Sequence, residues 1–193
     1  MRWRAVISAK LVLDELKAHG VTHVVGLADN ISGALVALLC EDPSPRFIRV
    51  TREAEAFALA SGLWIGGKTA VVVAQNTGFL ESGDGLRGTA QRMRVPLVCL
   101  ITYRGYRGWR RRTAESGPGR LTIEEFSRPE LDSAAIVTER TLKAWHVPYD
   151  RLETDSDRGK IGRAFSRAER ESRPVVLLVA APMTQDTGDP HAD

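Results

Sequence analysis

Residues 51–78, TREAEAFALASGLWIGGKTAVVVAQNTG, constrain the fold of this chain more than any other stretch. The run FIRV before them predicts a short strand leading into Thr51, which suits a helix cap. Ala56, Leu59, Ala60 and Leu63 then recur at the i, i+3, i+4, i+7 spacing of a buried helix face. Gly66-Gly67 ends that helix. Residues 70–74 are wholly apolar, as in a strand covered on both faces, and lead into Gln75-Asn76-Thr77-Gly78, read as a polar turn. Strand, helix, buried strand and polar turn make a βαβ unit. Its polar groups stand at the carboxyl end of the sheet, where open α/β folds place ligands.

The flanks extend the same pattern. Residues 8–18 predict an amphipathic helix capped by Ser8, and residues 21–27 a β-branched strand. Ala28-Asp29-Asn30 opens a helix over 31–39, and the two prolines in 41–46 mark a loop. Residues 79–93 predict a helix interrupted near its start by glycine, and 96–102 another buried strand. Residues 103–112 and 114–120 read as loops, a helix starts at Thr122, and 141–149 reads as a weak strand. A charged helix over 155–172 precedes VVLLVAA, taken as the last core strand. The chain of 193 residues thus reads as a single doubly wound α/β domain over 1–182, with a mostly parallel six-stranded sheet. Residues 183–193 read as a polar, disordered tail.

Composition excludes several classes. An apolar share of 43% with 26% charged residues fits a soluble globular domain, and a net charge of +3 does not by itself call for nucleic acid. No apolar run is long enough to span a membrane, and Met1-Arg2-Trp3-Arg4 lacks a following signal core, so a cytoplasmic location is expected. Cys40 and Cys99 form no CxxC or zinc pattern and read as small buried hydrophobes. His23 and His146 read as structural or surface residues.

Glu53 admits two readings. A carboxylate in the first turn complements the helix dipole. Yet Ala54, Ala56, Ala58, Ala60, Ser61 and Gly62 surround it with small residues, so this helix can pack close to something. Asp29 and Asn30 either cap the next helix or face a ligand. Residues 103–112, YRGYRGWRRR, hold five arginines, three aromatics and no acid. Three readings stay open there: a solvated loop, a receptor for an anionic substrate, or a single-stranded nucleic-acid platform. Gly83-Asp84-Gly85 has no strand before it and no Asn at metal-site spacing, so no metal is assigned to it.

Glu53, Ala56, Gly62 nine positions after the Glu, Gly67-Lys68, Gln75-Asn76-Thr77-Gly78, Pro96 with its apolar strand, and Arg104-Gly105 occur in a telling order. Together they resemble the pyrimidine-binding (PYR) domain of thiamine-diphosphate enzymes. More narrowly, the chain resembles the alpha subunit of sulfopyruvate decarboxylase and the equivalent half of phosphonopyruvate decarboxylase, over roughly residues 5–180. The resemblance implies that Glu53 is catalytic, bonding N1′ of the cofactor's aminopyrimidine so that its 4′-nitrogen takes the C2 proton. The thiazolium then acts as the electron sink for decarboxylation. Partial desolvation would raise the proton affinity of that carboxyl, and the helix start would lower it. Gln75, Asn76, Thr77 and Gly78 would line the cofactor pocket. Asp29, Asn30 and Arg104 would lie near a phosphonopyruvate- or sulfopyruvate-like substrate. The arginines after Arg104 depart from the family pattern. A partner chain carrying GDG and a downstream Asn would hold the diphosphate through Mg2+, in a heterotetramer or larger assembly, and this chain alone would be inactive. Alternatives are a carboligase subunit, or a non-catalytic PYR-like protein that uses residues 103–112 for RNA or an acidic partner.

Overall fold

A computed structural model describes residues 6–117 and 121–185. Six strands form one all-parallel sheet in the order β3-β2-β4-β5-β7-β6. They are β2 (His23–Gly26), β3 (Arg46–Arg49), β4 (Ala70–Gln75), β5 (Val98–Thr102), β6 (Tyr149–Leu152) and β7 (Val175–Val179). The doubly wound α/β domain expected from the alternation of apolar runs is therefore the fold. Two residues at each end, β1 (Ile7–Ser8) and β8 (Met183–Thr184), pair in parallel as a separate ribbon.

Alternation along the central strands divides the core. Val71, Val73, Val98, Leu100, Leu177 and Val179 point to one face, with α1 (Ala9–Ala18), α2 (Gly33–Glu41) and α8 (Gly159–Glu171). Val72, Ala74, Cys99, Ile101, Val176 and Leu178 point to the other. There they meet α3 (Glu53–Ile65), α4 (Asn76–Glu81), the π-helical segment Gly85–Gln91 and α7 (Ser133–Ala144). Both faces are covered, which is why β4, β5 and β7 read as unbroken apolar runs. Each such Val, Leu or Ile contributes about 1.5–3 kcal/mol on burial.

Several local expectations are corrected. Ser8 does cap α1, accepting from the Leu11 N–H at 3.2 Å. Thr51 does not cap α3; Arg52 holds that position, and Glu55 reaches back to the Thr51 N–H and hydroxyl. The buried face of α3 is Ala56, Phe57, Ala60 and Ser61, while Leu59 is exposed. Phe57 carries more apolar area than Leu59, so the helix turns to bury the ring. α2 starts at Gly33, two residues late, because Asp29 organises a turn before it. Residues 76–78 are not a turn but the first turn of α4.

The arginine-rich segment is not a loop either: α5 spans Tyr106–Ser116. The strand expected over 141–149 is the end of α7, terminated at His146, whose φ is +54°. β6 follows at Tyr149. The short helix after Thr122 is α6 (Ile123–Phe126), with the Thr122 hydroxyl accepting from Glu125 N–H. The tail expected from residue 183 begins in β8, and residues 186–193 lie outside the described residues. Cys99 is buried, but Cys40 is exposed. Among the described residues no helix is long and apolar enough to cross a membrane.

Candidate functional site

The sheet changes winding direction between β2 and β4. β2 leads to α2 on one face, and its neighbour β4 runs straight into α4 on the other. A crevice opens at such a switch point. Its floor is tight: a Cβ on Gly26 would overlap the Val73 carbonyl oxygen.

Asp29 closes the crevice at the end of β2. Its Oδ1 accepts from the N–H groups of Ile31 and Ser32 at 3.1 and 2.8 Å and from the Ser32 hydroxyl at 2.7 Å. Its Oδ2 accepts from Thr102 Oγ1 at 2.6 Å and Gln75 Nε2 at 3.0 Å. Burial pushes the carboxyl up, but the bonds from Thr102, Ser32 and Gln75 outweigh it and hold the acid below its ordinary value. Asp29 is thus an ionised, saturated acceptor. It organises the turn before α2, whose cap position is held by Ser32 rather than by Asp29, and it also lines the crevice.

The bond to Asp29 orients the Gln75 amide. Its Oε1 then accepts from Thr77 Oγ1 at 2.7 Å and stands 3.5 Å from the Arg104 guanidinium. Asp29, Asn30, Gln75, Arg104 and Arg107 meet around a cleft of about 330 Å³, with Tyr106 in its wall. All three residues expected near a substrate therefore share one cavity. Asn76 does something else. It is fully buried, and its Nδ2 donates to the Arg104 carbonyl at 3.1 Å and to Thr138 Oγ1 at 3.2 Å.

Glu53 lies beyond the first turn of α4. A Cβ added to Gly78 would come within 2.5 Å of its Cγ and Oε1. The carboxylate is half-buried against a glycine backbone and takes no hydrogen bond or ion pair among the described residues. The neighbouring Arg52 pairs with Glu81 at the far end of α4, which holds the start of α3 against that helix. A half-buried carboxylate with open valence beside bare backbone suits a flat, N–H-bearing ring. The residues present fit the aminopyrimidine of thiamine diphosphate.

The arginines of residues 103–112 are largely engaged by acids. Arg104 pairs with Asp132 at 2.8 Å, Arg110 with Glu153 at 2.6 Å, and Arg112 with the buried Glu125 at 2.6 Å. Tyr103 and Tyr106 are buried and Trp109 is half-buried. These rings pack inward, which removes the stacking surface that a nucleic-acid platform needs.

Asp84 is almost fully exposed and among the described residues pairs only with Arg87, while Gly83 and Gly85 are packing positions against Trp145 and the Ala54 carbonyl. Among the described residues no group of three His, Cys, Asp or Glu could hold a metal ion. Sequence reasoning missed Asp132, although an Asp before an apolar-periodic run is a cap signal. It also missed Thr102 and the cluster in which Glu139 accepts from Arg151, Tyr149 and Tyr103. Those contacts join residues 10 to 73 positions apart, and no local pattern announces them.

Residues 8–124 match the family "Thiamine pyrophosphate enzyme, N-terminal TPP binding domain". The chain belongs to that family. It is 31% identical over 127 residues to a phosphonopyruvate decarboxylase of Streptomyces hygroscopicus, covering 66% of this chain and 32% of that protein. It is 27% identical over 175 residues to sulfopyruvate decarboxylase subunit alpha of Methanothermobacter thermautotrophicus, covering 90% of this chain and 96% of the relative. The chain thus spans about a third of the phosphonopyruvate decarboxylases it matches and nearly all of that alpha subunit. Among solved structures, benzoylformate decarboxylase from Polynucleobacter necessarius superposes with a TM-score of 0.64 at 20% identity. That match covers 91% of this chain and 30% of the other, and it bears on the fold alone. The family expected from the motifs around Glu53 is the family found.

Proposed function

We propose that this chain is the pyrimidine-binding subunit of a thiamine-diphosphate-dependent 2-oxo acid decarboxylase, acting on a phosphonopyruvate- or sulfopyruvate-like acid. The observation that carries this reading is Glu53: a half-buried carboxylate with no protein partner among the described residues, set against a glycine with no room for a Cβ.

Thiamine diphosphate, when bound, supplies the electron sink for loss of carbon dioxide. Glu53 holds and returns a proton at N1′ of its pyrimidine. Gly78 keeps the space for that carboxylate. Gln75 lines the cleft, and Thr77 bonds to its amide oxygen. Arg104 receives the anionic end of the acid, with a guanidinium fork that suits phosphonate, sulfonate and carboxylate alike. Asp29 does not act as a base, because both its oxygens are filled; it orients Gln75.

A partner chain with a GDG…N motif holds the diphosphate and Mg2+. The name "subunit alpha" of the sulfopyruvate relatives supports a second subunit. So do Leu59, Trp64 and Ile65, large apolar residues that α3 leaves exposed.

The test is Glu53→Gln in the chain assembled with its partner. Decarboxylation should fall by at least about 100-fold, the lower range for a lost acid–base group. The melting temperature should hold, since Gln fills the same volume. Full activity in this variant would reject the role of Glu53. Robust turnover by the chain without a partner would reject the two-chain assignment.

A further inference from the structure

Arg104 has 58% of its side chain exposed, yet it is tied at three points. Asp132 Oδ2 takes its Nε at 2.8 Å. Gln75 Oε1 stands 3.5 Å from its NH1. Its carbonyl accepts from the buried Asn76, which also bonds Thr138 on α7. Asp132 is fixed in its turn, because it caps α7 by accepting from the Ala134 N–H at 3.0 Å. One carboxylate oxygen thus serves the helix end, and the other is left at a set position facing Nε. The residue after Arg104 enforces the approach. Gly105 has φ +80°, and a Cβ there would overlap Asp132 Cβ and stand 3.0 Å from Ala135 Cβ. The chain therefore turns into α5 only where the start of α7 touches it.

With Nε occupied, the terminal nitrogens are what Arg104 can offer the cleft it lines. Asp29, the acid in that cleft, is saturated by five hydrogen bonds and has no acceptor valence left for the guanidinium. We infer that Asp132 is a positioning residue: it aims Arg104 so that the cleft takes the phosphonate, sulfonate or carboxylate of an anionic acid, and it acts only through Arg104. The substrate class rests on the decarboxylase reading above; the coupling of the two residues does not.

Titration calorimetry of the full chain with phosphonoacetate, a stable phosphonate–carboxylate dianion, tests this at low ionic strength. Arg104→Ala should weaken binding about tenfold or more, the loss of a charged hydrogen-bonded pair. Asp132→Asn keeps a side chain that caps helices but loses the charge facing Nε. It should weaken binding about threefold to tenfold by misaiming the guanidinium. Asp132→Glu should restore part of that loss. In the Arg104→Ala background Asp132→Asn should cost nothing further, because two residues acting as one unit are not additive. If Asp132→Asn fails to fold, Asp132→Ser, which also caps helices but carries no charge, should give the same loss and the same absence of further cost in the Arg104→Ala background. Additive losses, an Asp132→Asn chain that binds like the native one, or a native chain that shows no saturable binding would each overturn the inference. The expected binding pattern without decarboxylation in the assembled protein would instead reject the functional reading and leave the Asp132–Arg104 coupling standing.

Discussion

Gly78→Ala separates the function of the Glu53 site from its fold. Gly78 lies inside α4 and has ordinary helical backbone, so alanine there should gain about 1 kcal/mol of helix propensity. Against this stands the Cβ, which would come within 2.5 Å of Glu53 Cγ and Oε1. The obstructing atoms are the far end of a flexible side chain. Glu53 can rotate toward solvent for about 0.5–1.5 kcal/mol of rotamer cost instead of forcing α3 and α4 apart. The two contributions nearly cancel. The net change should be within about 1 kcal/mol, or about 2–4 °C in melting temperature for a chain of this size. On the proposed role of Glu53, however, the carboxylate would no longer stand where the pyrimidine needs it. Activity of the assembled protein should fall at least about 100-fold, matching Glu53→Gln. Gly26→Ala is the control. Its Cβ would overlap the Val73 carbonyl, and backbone in the middle of a sheet cannot swing away, so about 3 kcal/mol should be lost. The assays are a thermal melt and a decarboxylation rate on the same preparations. A Gly78→Ala chain that melts normally and turns over at the native rate would refute the argument that this glycine exists to seat Glu53.

Three further outcomes are expected. Burial pushes Glu139 up, but bonds from Arg151 and Tyr149 outweigh it and hold its carboxyl below its ordinary 4.5. Its stabilisation is therefore complete above that value and lost as pH falls through the folded value. Glu139→Gln should cost about 1–3 kcal/mol at neutral pH, and the gap between the two melting curves should narrow as the pH falls below the ordinary carboxyl value and through the lower folded one. Thr102→Val removes the 2.6 Å bond to Asp29, which should raise the pKa of that acid and move the onset of acid unfolding to higher pH, read by circular dichroism. Leu59→Arg alters an exposed position on α3, so stability should stay within about 0.5 kcal/mol, while co-elution with the partner chain in size exclusion should be lost.

How much of this was legible in the sequence follows from the range of each signal. The central strands were readable because a strand covered on both faces is apolar, and 70–74, 97–101 and 175–181 are such runs. α3 was readable as a helix with Ala56 and Ala60 inward, but Leu59 was misplaced and Phe57 missed. Leu59 and Leu63 are larger on paper than Ala56 and Ala60, yet the small residues are what let α3 sit against the π-helical segment, where Gly85 meets the Ala54 carbonyl. The arginine segment misled for an electrostatic reason. Without knowledge of Glu125, Asp132 and Glu153, charge that is paired in the fold looks like charge that is free. Strand β6 was missed because, as an edge strand, it carries Asp150 and Arg151 and has no apolar run to show.

The three residues grouped as substrate-facing meet in one cleft, while the Gln75–Gly78 motif divides its labour, and the geometry of a helix start explains why. Residues on a first helical turn point in different directions, about 100° apart. Gln75, the last strand residue, faces the cleft and bonds Asp29. Asn76 turns inward to hold the Arg104 carbonyl and α7. Thr77 is exposed and bonds back to Gln75. Gly78 presents bare backbone to Glu53. Four adjacent residues thus address the cleft, the core, solvent and the carboxylate on α3. A shift in the α4 start by one position would move every one of these assignments. The exposed pair Arg52–Glu81 links the residue before α3 to the far end of α4, away from the cleft.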